Sequence, residues 1–138
     1  MTRVLTFSTN ISAGHRRAAE AVAKAILASS PEAQIRERDA LTLMGRPRRR
    51  FLTDAYLGII RYKPGFWDRL YRNKRIKARI ESFGRVFLAR AKEAFEHEID
   101  VFQPDVIICT QAIPARIIAE LKAEGACRAP LLAVATDY

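Results

Sequence analysis

The sequence predicts a doubly wound α/β fold, a parallel sheet with helices on both faces, carrying a helical and strongly basic insertion after the second strand. Three observations predict it. Short apolar runs alternate with segments of helical period, the pattern of successive β-α-β units. One run, Gln103-Pro104-Asp105-Val106-Ile107-Ile108-Cys109-Thr110, is continuously apolar at its centre, as strands covered on both faces are. Charge is also segregated. Between Gly45 and Ile80 there are 12 Lys or Arg and two acids, Asp54 and Asp68. The rest of the chain carries 12 basic and 13 acidic residues, so the whole net charge of +9 comes from this one quarter.

In order, residues 3–9 read as a short buried strand around Val4-Leu5-Thr6-Phe7. A loop of small residues, Asn10 to Gly14, leads into a helix from His15 to about Ala28 with alanines on its packing side. Ser29-Ser30-Pro31 is a turn, and Ala33 to Asp39 a second, more polar strand. From Leu41 to about Lys74 the pattern breaks into short helical pieces, interrupted at Pro47 and at Pro64-Gly65. A long amphipathic helix then runs from Arg75 to about Ile99. Its apolar residues Ile76, Ile80, Phe83, Phe87, Ala91, Ala94, Phe95 and Ile99 fall at three- and four-residue steps. The third strand follows, then a helix from about Pro114 to Ala123, and Pro130 to Thr136 as a fourth, buried-looking strand. The chain stops at Thr136-Asp137-Tyr138, directly at the end of that strand, so residues 1–138 are expected to be one domain of something longer.

A chain of 138 residues, 49% hydrophobic, can bury a core. No apolar run approaches the roughly 18 residues needed to cross a bilayer. Met1 to Phe7 goes straight into a strand pattern, without the features of a signal peptide. Cys109 and Cys127 have no metal or disulfide spacing and read as free thiols of a reducing compartment, so a cytoplasmic location is expected.

Ligands of doubly wound sheets sit beyond the carboxyl ends of the strands. That rim collects His15, Asp39, Thr110, Gln111, Thr136 and Asp137. Asp105, at the other end of its strand, reads as structural. A helix start offers unpaired N–H groups and a partial positive charge, which attracts anions and disfavours imidazolium at His15. A neutral imidazole is the form a general base needs. A solvent-exposed first-turn histidine is the competing reading of this window. Ser12 is placed either to cap the helix or to meet the same ligand. The loop lacks the three-glycine spacing of a dinucleotide fingerprint and the Gly-Lys-Ser/Thr of a Walker loop. No metal site is expected.

In the insertion, Arg46-Pro47-Arg48-Arg49-Arg50 precedes Phe51, and Arg61-Tyr62-Lys63-Pro64-Gly65-Phe66-Trp67 and Tyr71-Arg72-Asn73-Lys74-Arg75 follow. Aromatics interleaved with cations suit a surface that inserts shallowly while its cations meet lipid phosphates. The candidate lipid contacts are Arg48, Arg49, Arg50, Tyr62, Phe66, Trp67 and Tyr71. The same composition suits RNA, with arginines on the backbone and aromatics stacked on bases. It also suits a plain solvated face over core aromatics. From the residues alone all three stand.

Taken in order, these segments resemble a known family. Ser12-Ala13-Gly14-His15 followed by Ala18-Ala19 resembles the Gly-x-Gly-His-x-x-Ala-Ala loop of the diacylglycerol glycosyltransferases. This group within glycosyltransferase family 28 includes monogalactosyldiacylglycerol synthases and processive diacylglycerol glucosyltransferases. Tyr56-Leu57 with Pro64-Gly65-Phe66-Trp67-Asp68-Arg69-Leu70-Tyr71 is similar to its Tyr-then-Pro-x-x-Trp-x-x-x-Tyr segment. Residues 103–110 are similar to its Pro-Asp-x-Ile-hydrophobic-x-Thr strand, and Thr136-Asp137-Tyr138 to the start of its Thr-Asp-aromatic motif. The first loop glycine of the family is Ser12 here.

The resemblance implies a Rossmann-like, acceptor-side N-terminal domain of an inverting GT-B glycosyltransferase, with a basic membrane-facing insertion at about 45–80. It implies a UDP-sugar as donor substrate, held mainly by a second domain outside these residues, and no tightly bound cofactor. The acceptor would be diacylglycerol or a related lipid at the cytoplasmic face of the membrane, where the protein would be peripheral. His15 takes the position of the base, with Ser12, Gly14, Thr110, Gln111, Thr136 and Asp137 around the acceptor. Nucleic acid is then not expected as a partner. The alternative is a non-catalytic module that binds RNA or lipid through the basic region.

Overall fold

The computed structural model describes residues 1–51, 53, 54, 65 and 72–136, with side chains 77, 80, 81, 83, 84 and 87 not among them. In chain order the elements are β1 (Arg3–Ser8), α1 (Ala13–Ser29), β2 (Gln34–Asp39), α2 (Ala40–Leu43), α3 (Lys74–Phe102), β3 (Val106–Cys109), α4 (Ala112–Ala123) and β4 (Leu131–Ala133). The strands form one sheet in the order β2-β1-β3-β4. Every pairing is parallel, with Leu5 opposite Arg36 on one side and Ile107 on the other, and Ile107 opposite Leu131.

Alternation along β1 explains the two layers. Leu5 and Phe7 face a core built with Ile107 and Cys109, with Ala91, Phe95 and Ile99 of α3, and with Ile117, Ile118 and Leu121 of α4. Val4 and Thr6 point the other way and are equally buried, beside α1. Right-handed crossovers require this split, because β1→β2 and β3→β4 advance in opposite directions from the centre. The sheet is therefore Rossmann-like, with helices on both faces and its order reversing between β1 and β3.

The polar second strand is an edge of the described sheet. Arg38 Nε donates to Glu98 Oε2 at 2.9 Å, and the Arg36 guanidinium lies 4.4 Å from the centre of the Phe102 ring, with that of Arg3 at 4.9 Å. Asp105 accepts the Arg3 backbone N–H at 2.8 Å, a structural role as expected. Cys109 is fully buried, and burial pushes its thiol up to about 12. Both cysteines are free.

Two expectations change. The long helix is longer than predicted, 29 residues, and ends where Gln103 turns into the left-handed region at φ 51° before Pro104. Its apolar stripe is buried at Ala91, Phe95 and Ile99, whereas Ile76 is 38% exposed. Length is the reason: 29 residues extend about 44 Å, while strands of four to six residues span at most about 20 Å. The helix outruns the sheet beneath it. The fourth strand, predicted to be buried over 130–136, is three residues long at the edge of the described sheet, with Leu132 54% exposed.

After β2, Asp39 caps α2, and Gly45 at φ +83° turns the chain into a further helical stretch at residues 46–51, 53 and 54. The insertion is thus helical in its described part. Tyr62, Phe66, Trp67 and Tyr71 lie outside the described residues, as do Asp137 and Tyr138.

Candidate functional site

The reversal of strand order opens a crevice at the carboxyl ends of β1 and β3, and His15 stands there in the first turn of α1. It is 5% exposed, which removes the reading of a solvated first-turn histidine. Thr110, the first residue beyond β3, holds it from both sides. The Thr110 hydroxyl donates to the His15 carbonyl at 2.9 Å, and the Thr110 carbonyl lies 3.0 Å from His15 Nδ1. Thr136, three residues beyond β4, completes the group: its Oγ1 is 2.6 Å from the same Nδ1 and 3.2 Å from the Thr110 carbonyl.

This geometry assigns the proton. A backbone carbonyl only accepts, so the nitrogen that faces it is the one that donates. In the neutral imidazole the hydrogen then sits on Nδ1, and Nε2 carries the lone pair. The fold brings three residues, separated by up to 121 positions, into one hydrogen-bonded unit around an imidazole.

The other predicted residues divide. Ser12 is at the N-cap of α1 with extended backbone, yet its hydroxyl makes no capping bond. Gly14 lies within the first turn, and a Cβ added there would meet only Ser12 Oγ, at 3.8 Å. The fold itself does not demand glycine at that position. Gln111 caps α4, its side-chain oxygen accepting from Ile113 N–H at 2.9 Å. Asp39 reaches the rim, but its carboxylate takes Leu41 N–H at 3.0 Å, Asn10 Nδ2 at 2.7 Å and Thr42 Oγ1 at 3.1 Å. Its role is to fix the loop after β1 against α2.

Sequence reading missed two features. Thr9, directly after β1, is buried with its hydroxyl lacking a hydrogen-bond partner among the described residues. A concavity of about 280 Å³ also opens beside Thr110 and Thr136, walled largely by Ala112, Ala115, Ala133 and Val134. Small apolar residues in a predicted strand end and helix start gave no sign that they would face a hollow. Among the described residues no group of three or more His, Cys, Asp or Glu is placed to hold a metal ion.

On the basic segment, Arg46, Arg49 and Arg50 are exposed around a shallow depression with Thr53 and Asp54. Arg48 is half-buried and donates to the Met44 carbonyl at 3.3 Å, so it also ties this segment to the end of α2. Phe51 beside them is 52% exposed. Among the described residues no helix is long and apolar enough to cross a membrane.

Comparison with known proteins gives one family: a profile described as monogalactosyldiacylglycerol (MGDG) synthase matches residues 15–138, nearly the whole chain. No curated protein and no solved structure gives a significant match.

Proposed function

The chain belongs to the monogalactosyldiacylglycerol synthase family, glycosyltransferases that act on lipid, and from that premise we propose that it forms the acceptor-side N-terminal domain of an inverting GT-B enzyme with His15 as general base. In this reading a UDP-hexose is the donor substrate, held chiefly by a second domain, and diacylglycerol or a related lipid is the acceptor. No tightly bound cofactor takes part. The acceptor hydroxyl attacks the anomeric carbon as the bond to the departing UDP breaks. Its proton passes to His15 Nε2.

The observation that carries the reading is the contact of Nδ1 with the Thr110 carbonyl at 3.0 Å. It selects the tautomer whose outer nitrogen is basic, and a base must have that lone pair on the side away from its anchor. Burial adds to this, since an imidazole only 5% exposed meets little competition from bulk water. The N–H groups at the start of α1, with the Ser12 hydroxyl not engaged in capping, suit an oxygen-rich acceptor headgroup. Ser12, Gly14, Thr110 and Gln111, with Asp137 beyond them, are proposed to border that headgroup.

The basic segment is proposed as the membrane-facing part, peripheral on the cytoplasmic leaflet, with Arg49 and Arg50 meeting lipid phosphates. Arg48, Tyr62, Phe66, Trp67 and Tyr71 extend the same contact. Cations on an exposed helix beside a half-exposed Phe51 support this reading.

The test is turnover of diacylglycerol vesicles by the intact protein with UDP-hexoses. His15→Ala is expected to lower kcat by about 10²–10⁴-fold, the range for loss of a general base. Activity within a few-fold of wild type would remove His15 from that role.

A further inference from the structure

We propose that Thr136 is a positioning residue for His15, a role that rests on the reading of His15 as base and that assigns Thr136 to the imidazole rather than to the acceptor. His15 Nδ1, the Thr110 carbonyl oxygen and Thr136 Oγ1 form a closed triangle with sides of 3.0, 2.6 and 3.2 Å. Only one arrangement of hydrogens satisfies all three sides. The carbonyl accepts from both partners, so Thr136 O–H donates to it, and the Nδ1 hydrogen is shared between the carbonyl and the lone pair of Oγ1.

The two oxygens have different jobs. By itself a threonine hydroxyl tolerates either tautomer, because it donates as readily as it accepts. The Thr110 carbonyl removes that freedom by occupying the hydroxyl hydrogen. Thr136 then becomes an acceptor aimed at Nδ1 over the shortest distance in the triangle, and it gives the Nδ1–H a second acceptor that narrows the directions in which it can point. When His15 takes up a proton at Nε2, both oxygens already face the N–H that becomes more acidic, so no dipole has to turn at that moment. The hydroxyl reaches this place because β4 pairs with β3, and Val134 N–H extends the pairing by one bond to the Cys109 carbonyl at 2.8 Å. The segment after β4 thereby sets the orientation of a base that lies on the first helix.

The experiment compares Thr136→Val, Thr136→Ala and Thr136→Ser in the intact protein, reading kcat, KM, the melting temperature and the ¹⁵N-edited signal of the His15 Nδ1–H. That signal is assigned by its loss in His15→Gln. Valine keeps the volume and deletes the acceptor; it is expected to lower kcat roughly 10-fold, the scale of one lost hydrogen bond to a group that becomes charged, with KM little changed. The Nδ1–H signal is expected to shift away from its strongly hydrogen-bonded position. Serine is expected to restore both, and alanine guards against a valine that disturbs the fold. Wild-type kcat in the valine and alanine variants overturns the proposal, even where the signal moves. So does a loss of kcat that follows melting temperature alone and is not restored by serine. The base reading fails separately: His15→Ala near wild-type activity removes it, whereas an inactive His15→Ala beside fully active Thr136 variants removes only the role of Thr136.

Discussion

The rim around His15 and the arginine-bearing segment at 46–54 are both polar, and they are built on opposite principles. At the rim, hydrogen bonds of 2.6 to 3.2 Å join His15, Thr110 and Thr136 into one closed unit around a buried imidazole. On the basic segment, Arg46, Arg49 and Arg50 point into solvent, and Arg50 reaches Asp54 only at 3.9 Å with both groups largely exposed. A pair of that kind is worth little. The rim depends on position and the segment on accumulated charge. Single substitutions should therefore be severe in the first region and mild in the second.

The largest test of that contrast makes the same kind of change in both places. His15→Gln keeps a polar side chain of similar reach but cannot take up the proton, and kcat is expected to fall by about 10²–10⁴-fold. Arg49→Gln removes one cation and is expected to weaken binding to anionic vesicles by about five-fold, roughly 1 kcal/mol near the surface. Comparable losses from the two would collapse the distinction. Next in size is the triple change of Arg46, Arg49 and Arg50 to Gln, which spares Arg48 because of its bond to the Met44 carbonyl. Vesicle co-sedimentation should drop by about 10²-fold at low salt, and less at higher ionic strength. Excess RNA as competitor separates the two polyanions. Binding that RNA erases would make this surface a nucleic-acid face.

A smaller effect sharpens the account of the rim. Gly14 sits in a helix first turn where a Cβ has room, so Gly14→Ala should raise stability by up to about 1 kcal/mol through helix propensity and a less flexible unfolded chain. If the bare backbone at Gly14 exists to let the acceptor approach, turnover should fall several-fold in the same variant. Stability and activity moving in opposite directions would mark a position set by its ligand. A gain in melting temperature with unchanged turnover would return Gly14 to the loop alone.

Much of the fold was legible because it rests on local periodicity. The strand around Ile107, the helix over Ala91 to Ile99 and the loop before His15 were all visible as patterns. The exposure of Ile76 and Leu132 was not, because it depends on how far the sheet extends beneath each element. Nor was the tautomer of His15 visible. Its anchor is a backbone carbonyl, which every residue owns, and its second partner lies 121 positions away. Side-chain identity suggested Thr110 and Thr136 as rim residues, but only their geometry shows that they turn toward the histidine. Gln111 carries a related ambiguity: an amide of the kind that meets a ligand also caps helices, and its oxygen caps α4 in this fold.

The smallest expected effect comes from a third polar cluster, one that belongs to neither region. Lys92 of α3 reaches Glu124 at 2.6 Å and Glu120 at 3.0 Å, and so ties α3 to α4. Its hydrogen bonds to Glu124 and then Glu120 raise the Lys92 ammonium above its ordinary range, and the bond from Lys92 holds the Glu120 carboxyl below its own. The signs of the two effects differ. Glu120, depressed in the folded state, contributes stability above its unfolded value of about 4.5 that is lost as pH falls through the folded value. Lys92, raised in the folded state, contributes stability below about 10.5 that is lost as pH rises through the folded value. Between those limits the clamp is intact. Lys92→Met, which keeps the aliphatic stem against α4, should cost about 1 kcal/mol or less at pH 7, and less still in high salt. At pH 3 the difference between variant and wild type should shrink in urea melts, because falling pH neutralises the Glu120 carboxyl that Lys92 engages. A loss larger than that, or one unchanged at pH 3, would mean that the Lys92 hydrogen bonds hold the helices by their geometry and not by charge. The clamp would then act by position, as the rim does, although it is made of ion pairs.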